Sequence, residues 1–297
     1  MEKIAIITDS CADVPAAYAS QYHIHIIPMI VSTHERSYKD GIDINAEDVY
    51  ELQRHEMLKT ASPQGDDVIS MLEQLKNEGY THAVILTIAS ALSGTSNQIR
   101  LFAQSVDDII VSVFDSKSAS IGNGAIVIET ARLIAEGISY EELLQKIPQL
   151  IDHNYVYFSI DTLEYLEKGG RITKATAIVG TALKIKPILS FDKENGAIFV
   201  PAKVRGRKKV QSQLIRFLEK HIADHPHQIY NILIADGGDE ESHRLLEDKI
   251  KTLFPEANEY INAKIGAALS AYLGKGLLGA GIQFIDEQKR GCNEIKY

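Results

Sequence analysis

The sequence has only two cysteines, Cys11 and Cys292, among 297 residues. Two thiols so far apart make neither a disulfide framework nor a metal knuckle, which fits a reducing cytosol. No apolar stretch approaches the roughly 18 residues that a membrane-spanning helix needs. The N-terminal Met1-Glu2-Lys3-Ile4 runs straight into a strand-like segment without a signal-peptide plan, so the expected location is the cytoplasm. An excess of positive charge is missing too. Lys and Arg number 31 against 40 Asp and Glu, a net charge of -9 that disfavours unspecific binding to nucleic acid or anionic membrane.

Several catalytic signatures are also absent. The chain has no G-x-x-x-x-G-K-[ST] phosphate loop and no H-E-x-x-H zinc motif, and Ala91-Leu92-Ser93-Gly94-Thr95 lacks the first glycine of a G-x-S-x-G elbow. Gly274-Lys275-Gly276-Leu277-Leu278-Gly279 spells G-x-G-x-x-G, but a strand-like run follows it where a dinucleotide site needs a helix. No metal ligand set, cofactor or catalytic residue is therefore assigned. His221, His225 and His227 straddle Pro226 and read as a solvated helix end.

What is present is alternation. Apolar runs of strand length at 3–8, 24–31, 82–88 and 109–114 are separated by helical patterns at 16–22, 46–55, 65–77 and 95–106. This predicts βαβ units and a mainly parallel sheet flanked by helices. Helical patterns at 118–136 and 140–151 follow. From residue 155 the texture shifts to short strands, at 155–160, 187–191, 198–203, 230–235 and 278–285, with the hairpin signal Asn195-Gly196 between two of them. The length and this shift predict two domains, an N-terminal α/β unit over 1–152 and a C-terminal α+β unit over 153–297, with no Pro- or Gly-rich linker between them.

Ligands of open parallel sheets bind beyond the carboxyl ends of the strands. Those ends carry Thr8-Asp9-Ser10, then Ser90 to Ser96, then Asp115-Ser116. Ser93 reads either as a helix N-cap or, with Gly94 allowing close backbone approach, as a donor to an anion. Asp9 either braces loops or meets ligand. Lys168-Gly169-Gly170-Arg171 reads as a helix C-cap. Lys203, Arg205, Arg207, Lys208 and Lys209 crowd a helix start, as a solvated face or as a surface for an anionic partner.

In their order, "TDS" at Thr8 to Ser10, "LSGT" at Leu92 to Thr95, "DSKS" at Asp115 to Ser118, "KGGRI" at Lys168 to Ile172, "KIKPIL" at Lys184 to Leu189 and a late G-x-G resemble the DegV family along essentially the whole chain. The resemblance implies a two-domain α/β protein that binds one long-chain fatty acid between or within its domains, without enzymatic activity of its own. Its implied role is that of the FakB-type subunit of bacterial fatty acid kinase, which presents the acid to a separate ATP-dependent subunit, FakA, for acyl-phosphate formation.

Carried across position by position, the carboxylate-binding threonine falls on Thr60 and the serine of the S-G-T stretch on Ser93, beside Gly94. Asp9, Ser10, Thr95 and Asp115 support the pocket and its loops. Arg171 and Arg205 fall where the family turns arginines towards the kinase. Tyr272 stands where the family often has a histidine that contacts the carboxylate, and Ala61 and Ser62 replace a Ser and a Gln. Two other readings compete: a stand-alone hydrolase or transferase acting on a small anion through Asp9, Ser93 and Asp115, and a lipid-responsive regulatory protein.

Overall fold

The computed structural model describes residues 2–172 and 185–285, so Lys184 of "KIKPIL" and Cys292 lie outside the described residues. In chain order the first half runs β1 (Ile4–Asp9), α1 (Ala16–Gln21), β2 (His25–Ile27), β3 (Ile30–Ser32), β4 (Ser37–Lys39), α2 (Ala46–Leu52), β5 (Lys59–Ala61), α3 (Gly65–Asn77), β6 (His82–Thr87), α4 (Thr95–Ala103), β7 (Ile110–Asp115), α5 (Ile121–Ala135) and α6 (Tyr140–Asp152). The second half adds β8 (Asn154–Ser159), α7 (Glu164–Lys168), β9 (Ile185–Phe191), β10 (Ile198–Arg205), α8 (Arg207–Asp224), β11 (Ile229–Gly237), α9 (Glu240–Leu253), β12 (Glu259–Lys264), α10 (Ala267–Leu273) and β13 (Leu277–Ile285).

Three sheets result. A four-stranded sheet, β2-β1-β6-β7, is parallel throughout. A six-stranded sheet, β10-β9-β8-β13-β11-β12, is antiparallel except for the β11–β12 pair. Beside them lies a small antiparallel sheet, β4-β3-β5.

The run at 24–31, expected as one strand, is two. Pro28 interrupts it, and a residue without an N–H cannot continue the ladder. β2 stays in the parallel sheet, while β3 turns away to pair with β4 and β5. The helix expected from Ser118 starts at Ile121 instead. The loop before it is held in place, because Ala89 N–H donates to Ser118 O and Ser120 N–H donates to Cys11 O at 2.7 Å. That tether keeps Lys117 and Ser120 in the left-handed region, with φ of 52° at both.

Helix α5 is mostly apolar, with Asn123, Glu129, Thr130 and Arg132 as its polar side chains, and twelve of its fifteen residues are buried, as suits a helix covered on nearly every side. It lies in an apolar cluster that joins Ile6, Val84 and Leu86 of the parallel sheet to Phe158, Leu189 and Leu233 of the large sheet. The opposite face of the parallel sheet packs on α3 and α4 through Leu72 and Ile99. The far face of the large sheet packs on α8 and α9 through Leu214, Leu218, Leu246 and Ile250.

Helix α10 belongs to the second half of the chain but is anchored by the first. Asp13 accepts from Gly266 N–H and Asp40 from Ala267 N–H, each at 2.9 Å, at its start. At its other end Gln53 donates to the carbonyls of Ser270 and Ala271. These bonds satisfy the backbone groups that a helix end leaves unpaired, using residues more than 200 positions away.

Candidate ligand cavity

The strand ends of the parallel sheet divide into bracing groups and groups that face open space. Asp9, at the end of β1, is fully buried, and its two oxygens accept from Cys11 N–H at 3.0 Å and Ile88 N–H at 2.8 Å. Burial pushes its carboxyl up to about 7 against those two donors. Asp115, at the end of β7, accepts from the N–H groups of Ser90 at 3.1 Å and Lys117 at 2.9 Å. Ser10 donates to Asp40 at 2.7 Å and accepts from Met29 N–H at 3.0 Å. Each of the three ties loops to one another or to α10, and none lines the cavity described next.

Between the two large sheets lies a cavity. Its walls are apolar, with Ile88 from the parallel-sheet side, Phe158 and Phe191 from the large sheet, and Leu269, Leu273 and Leu277 from α10 and β13. Polar side chains in the lining include Thr60, Ser93, Arg171 and Tyr272. Thr60 on β5 and Tyr272 on α10 come from different halves of the chain, yet their hydroxyls lie 2.9 Å apart. Ser93 Oγ lies 2.8 Å from Thr95 Oγ1, which donates to Ser62 Oγ at 3.1 Å. Thr60, Ser62, Ser93, Thr95 and Tyr272 thus form two short hydroxyl chains.

Gly94 itself is the N-cap of α4 and has no side-chain cap bond, so the reading of Ser93 as N-cap does not hold. Gly94 has an ordinary φ of -73°, and a Cβ placed there would meet nothing within 4 Å. Gly169 is different. A Cβ there would lie 2.4 Å from a Tyr272 ring carbon, so the tyrosine reaches its place only because residue 169 has no side chain.

Arg171 is turned inward. Its guanidinium sits 4.5 Å over the Tyr272 ring, Nε donates to Leu92 O at 3.2 Å, and Nη1 donates to Gly169 O at 2.6 Å. The cavity lining therefore carries a cation beside its hydroxyls. Arg205 ends β10 in an exposed position, with no side-chain hydrogen bond or ion pair among the described residues. Its neighbour Arg207 is spoken for, with Asp239 at 2.6 Å, Gly276 O at 2.7 Å and Asp161 at 3.7 Å. The basic run at 203–209 is thus not one free surface.

Two of the three histidines are placed differently from expectation, whereas His227 is exposed. His221 stacks on Tyr155 at 4.0 Å and bonds the Tyr157 hydroxyl at 2.7 Å, and burial pulls its imidazole down to about 4. His225 packs on Phe284. One side of this helix end thus packs on an aromatic layer, while Ala223, Asp224 and His227 are exposed as a solvated end would be. The late G-x-G-x-x-G leads into β13 as expected, with Gly274 at φ 65° and Gly276 at φ 98°. Among the described residues no group of three or more His, Cys, Asp and Glu could hold a metal ion. No described helix is long and apolar enough to cross a membrane.

Residues 3–284 match the family model described as "Uncharacterised protein, DegV family". The chain is 36% identical over 283 residues to a DegV domain-containing protein of Clostridium perfringens, covering 95% of this chain and 99% of that one. It is 31% identical to Protein DegV of Bacillus subtilis, covering 93% and 97%. The chain belongs to the DegV family. Among solved structures it is similar to a DegV family protein from Thermus thermophilus described by its fatty acid binding, with a TM-score of 0.88, 26% identity and coverage of 95% and 100%. It is likewise similar to Bacillus subtilis DegV, described as a fatty acid binding protein, with a TM-score of 0.86, 29% identity and coverage of 96% and 100%.

Proposed function

We propose that this protein binds one long-chain fatty acid in the cavity, with the carboxylate at Thr60, Ser93 and Tyr272 beside the Gly94 backbone. The observation that carries the reading is the shape of the cavity's chemistry. An apolar-walled cavity has hydroxyls from both halves of the chain in its lining, the pairing of oily walls and a few convergent polar groups that small-molecule sites show. Burying about 14 methylenes gains roughly 11 kcal/mol before the entropy of association is subtracted. A carboxylate removed from water needs partners, and charge-assisted bonds from hydroxyl and amide donors offset that cost. The fatty-acid-binding descriptions of the Thermus and Bacillus relatives point the same way.

The finer reading is that of a carrier. The chain acts in the cytoplasm as the FakB-type subunit of a fatty acid kinase and presents its acid to a separate ATP-dependent subunit, FakA, which forms the acyl phosphate. Arg171 and Arg205 are the proposed partner contacts, and 1–152 and 153–297 the two domains that enclose the acid. The competing hydrolase reading requires Asp9, Ser93 and Asp115 to converge on substrate, whereas both carboxylates accept from backbone amides and neither lines the cavity. Native mass spectrometry of protein purified from bacteria tests the binding directly: one copurified acyl chain per protein is expected, and a preparation that neither retains nor takes up palmitate refutes it. Acyl-phosphate production with a kinase subunit, lost in the Arg171→Ala, Arg205→Ala variant, tests the carrier role.

A further inference from the structure

Arg171 makes contacts that a residue waiting for a partner does not need. One donor reaches Leu92 O, in the loop after β6, and another reaches Gly169 O, in the loop after α7, so one guanidinium joins the two halves of the chain. Its face covers the Tyr272 ring at 4.5 Å, and Tyr272 is itself held to Thr60 by their hydroxyls. Arg171, Leu92, Ser93, Thr60 and Tyr272 all line the cavity. Its planar fork and face allow two hydrogen bonds and a stacking contact at once, which a lysine cannot reproduce. No carboxylate pairs with this guanidinium among the described residues, and both bonded oxygens are carbonyls, so the closure is held by contacts of moderate strength.

We infer that Arg171 is a latch across the cavity mouth, which sets the rate at which the cavity opens and does not itself hold the ligand. The assignment builds on the fatty-acid reading and adds a regulation to it. A partner carrying a carboxylate that draws the guanidinium outward breaks the bridge between the 92 and 169 loops and uncovers Tyr272. Recognition of Arg171 and opening of the cavity become one event.

A readout that needs no fatty acid is built in. Cys11 lines the same cavity and is 2% exposed. In the full chain carrying Cys292→Ser, the rate of Cys11 modification by N-ethylmaleimide reports opening. Arg171→Ala is expected to speed modification at least tenfold, with Arg171→Lys in between. Stopped-flow binding of anthroyloxy-palmitate to the same proteins should show association and dissociation accelerated by similar factors, leaving Kd within about threefold, because a latch lowers a barrier common to both directions. Unchanged Cys11 modification overturns the latch. So does faster dissociation with unchanged association, which would make Arg171 a ligand contact. Accelerated Cys11 modification in a protein that binds no acid at all leaves the latch standing and removes the fatty-acid reading.

Discussion

Two polar clusters sit near the same end of the parallel sheet, and they behave in opposite ways. In the acidic one, the oxygens of Asp9, Asp13 and Asp40 are taken up by N–H and hydroxyl donors of the protein: Cys11 and Ile88, Gly266 and Ser120, Ala267 and Ser10. In the other, the hydroxyls of Thr60, Tyr272, Ser93, Thr95 and Ser62 bond largely to one another. A carboxylate saturated by backbone amides cannot be released to a ligand without unpairing those amides in the interior. A hydroxyl bonded to another hydroxyl can rotate and donate elsewhere at small cost. The first cluster is architecture. The second is available for binding.

Substitutions should separate the clusters by which property they damage. The largest effect is expected from Asp9→Ala, which leaves the amides of Cys11 and Ile88 buried without acceptors and should cost about 3 kcal/mol of stability at pH 5, read from urea unfolding. Asp9 also gives the wild type a slope with pH. Its carboxyl is raised to about 7 in the folded state against about 4 in the unfolded chain, so the folded state holds the proton more tightly. The stability this contributes is fully present below about pH 4 and lost as pH rises to about 7, and Asp9→Ala should flatten that part of the curve.

Next comes Thr60→Val with Ser93→Ala. Removing two donors to a carboxylate should weaken palmitate binding roughly 100-fold, about 2.8 kcal/mol, in isothermal titration, while the urea midpoint moves little. Similar losses of stability and affinity would erase the distinction between the clusters. Gly169→Ala should weaken palmitate about tenfold, because the added methyl displaces the Tyr272 ring. Gly94→Ala is expected to change stability least, since φ there is ordinary and no protein atom lies within 4 Å of the added methyl.

Much of this was legible in the chain. Period and run length marked β1, β6, β7 and their helices: β1 and β6 are buried parallel strands that read as unbroken apolar runs, while β7 is apolar in sequence but lies at the sheet edge with no buried residue. Ser93 stood out by its place after β6 and beside Gly94, whereas Thr60 and Tyr272 were visible only through resemblance to a family. Nothing local distinguishes Thr60 from any other threonine, and its partner lies 212 residues away. The small sheet was missed because β3, β4 and β5 have three residues each, too few for a period. The docking of α10 by Asp13, Asp40 and Gln53 leaves no local signal either, since the caps come from the other half of the chain. Arg171 followed two glycines as a helix C-cap would. Only the fold reveals that its guanidinium turns to Leu92 and Tyr272.

The most direct test of a long acid lying in this cavity with its head at the hydroxyls is a crystal structure of the protein with palmitate. The expected result places the carboxylate within hydrogen-bond distance of Thr60 Oγ1 and Ser93 Oγ, with the chain running along Phe158 and Leu277. A carboxylate in solvent at another opening, or palmitate bound only outside the cavity, would contradict it.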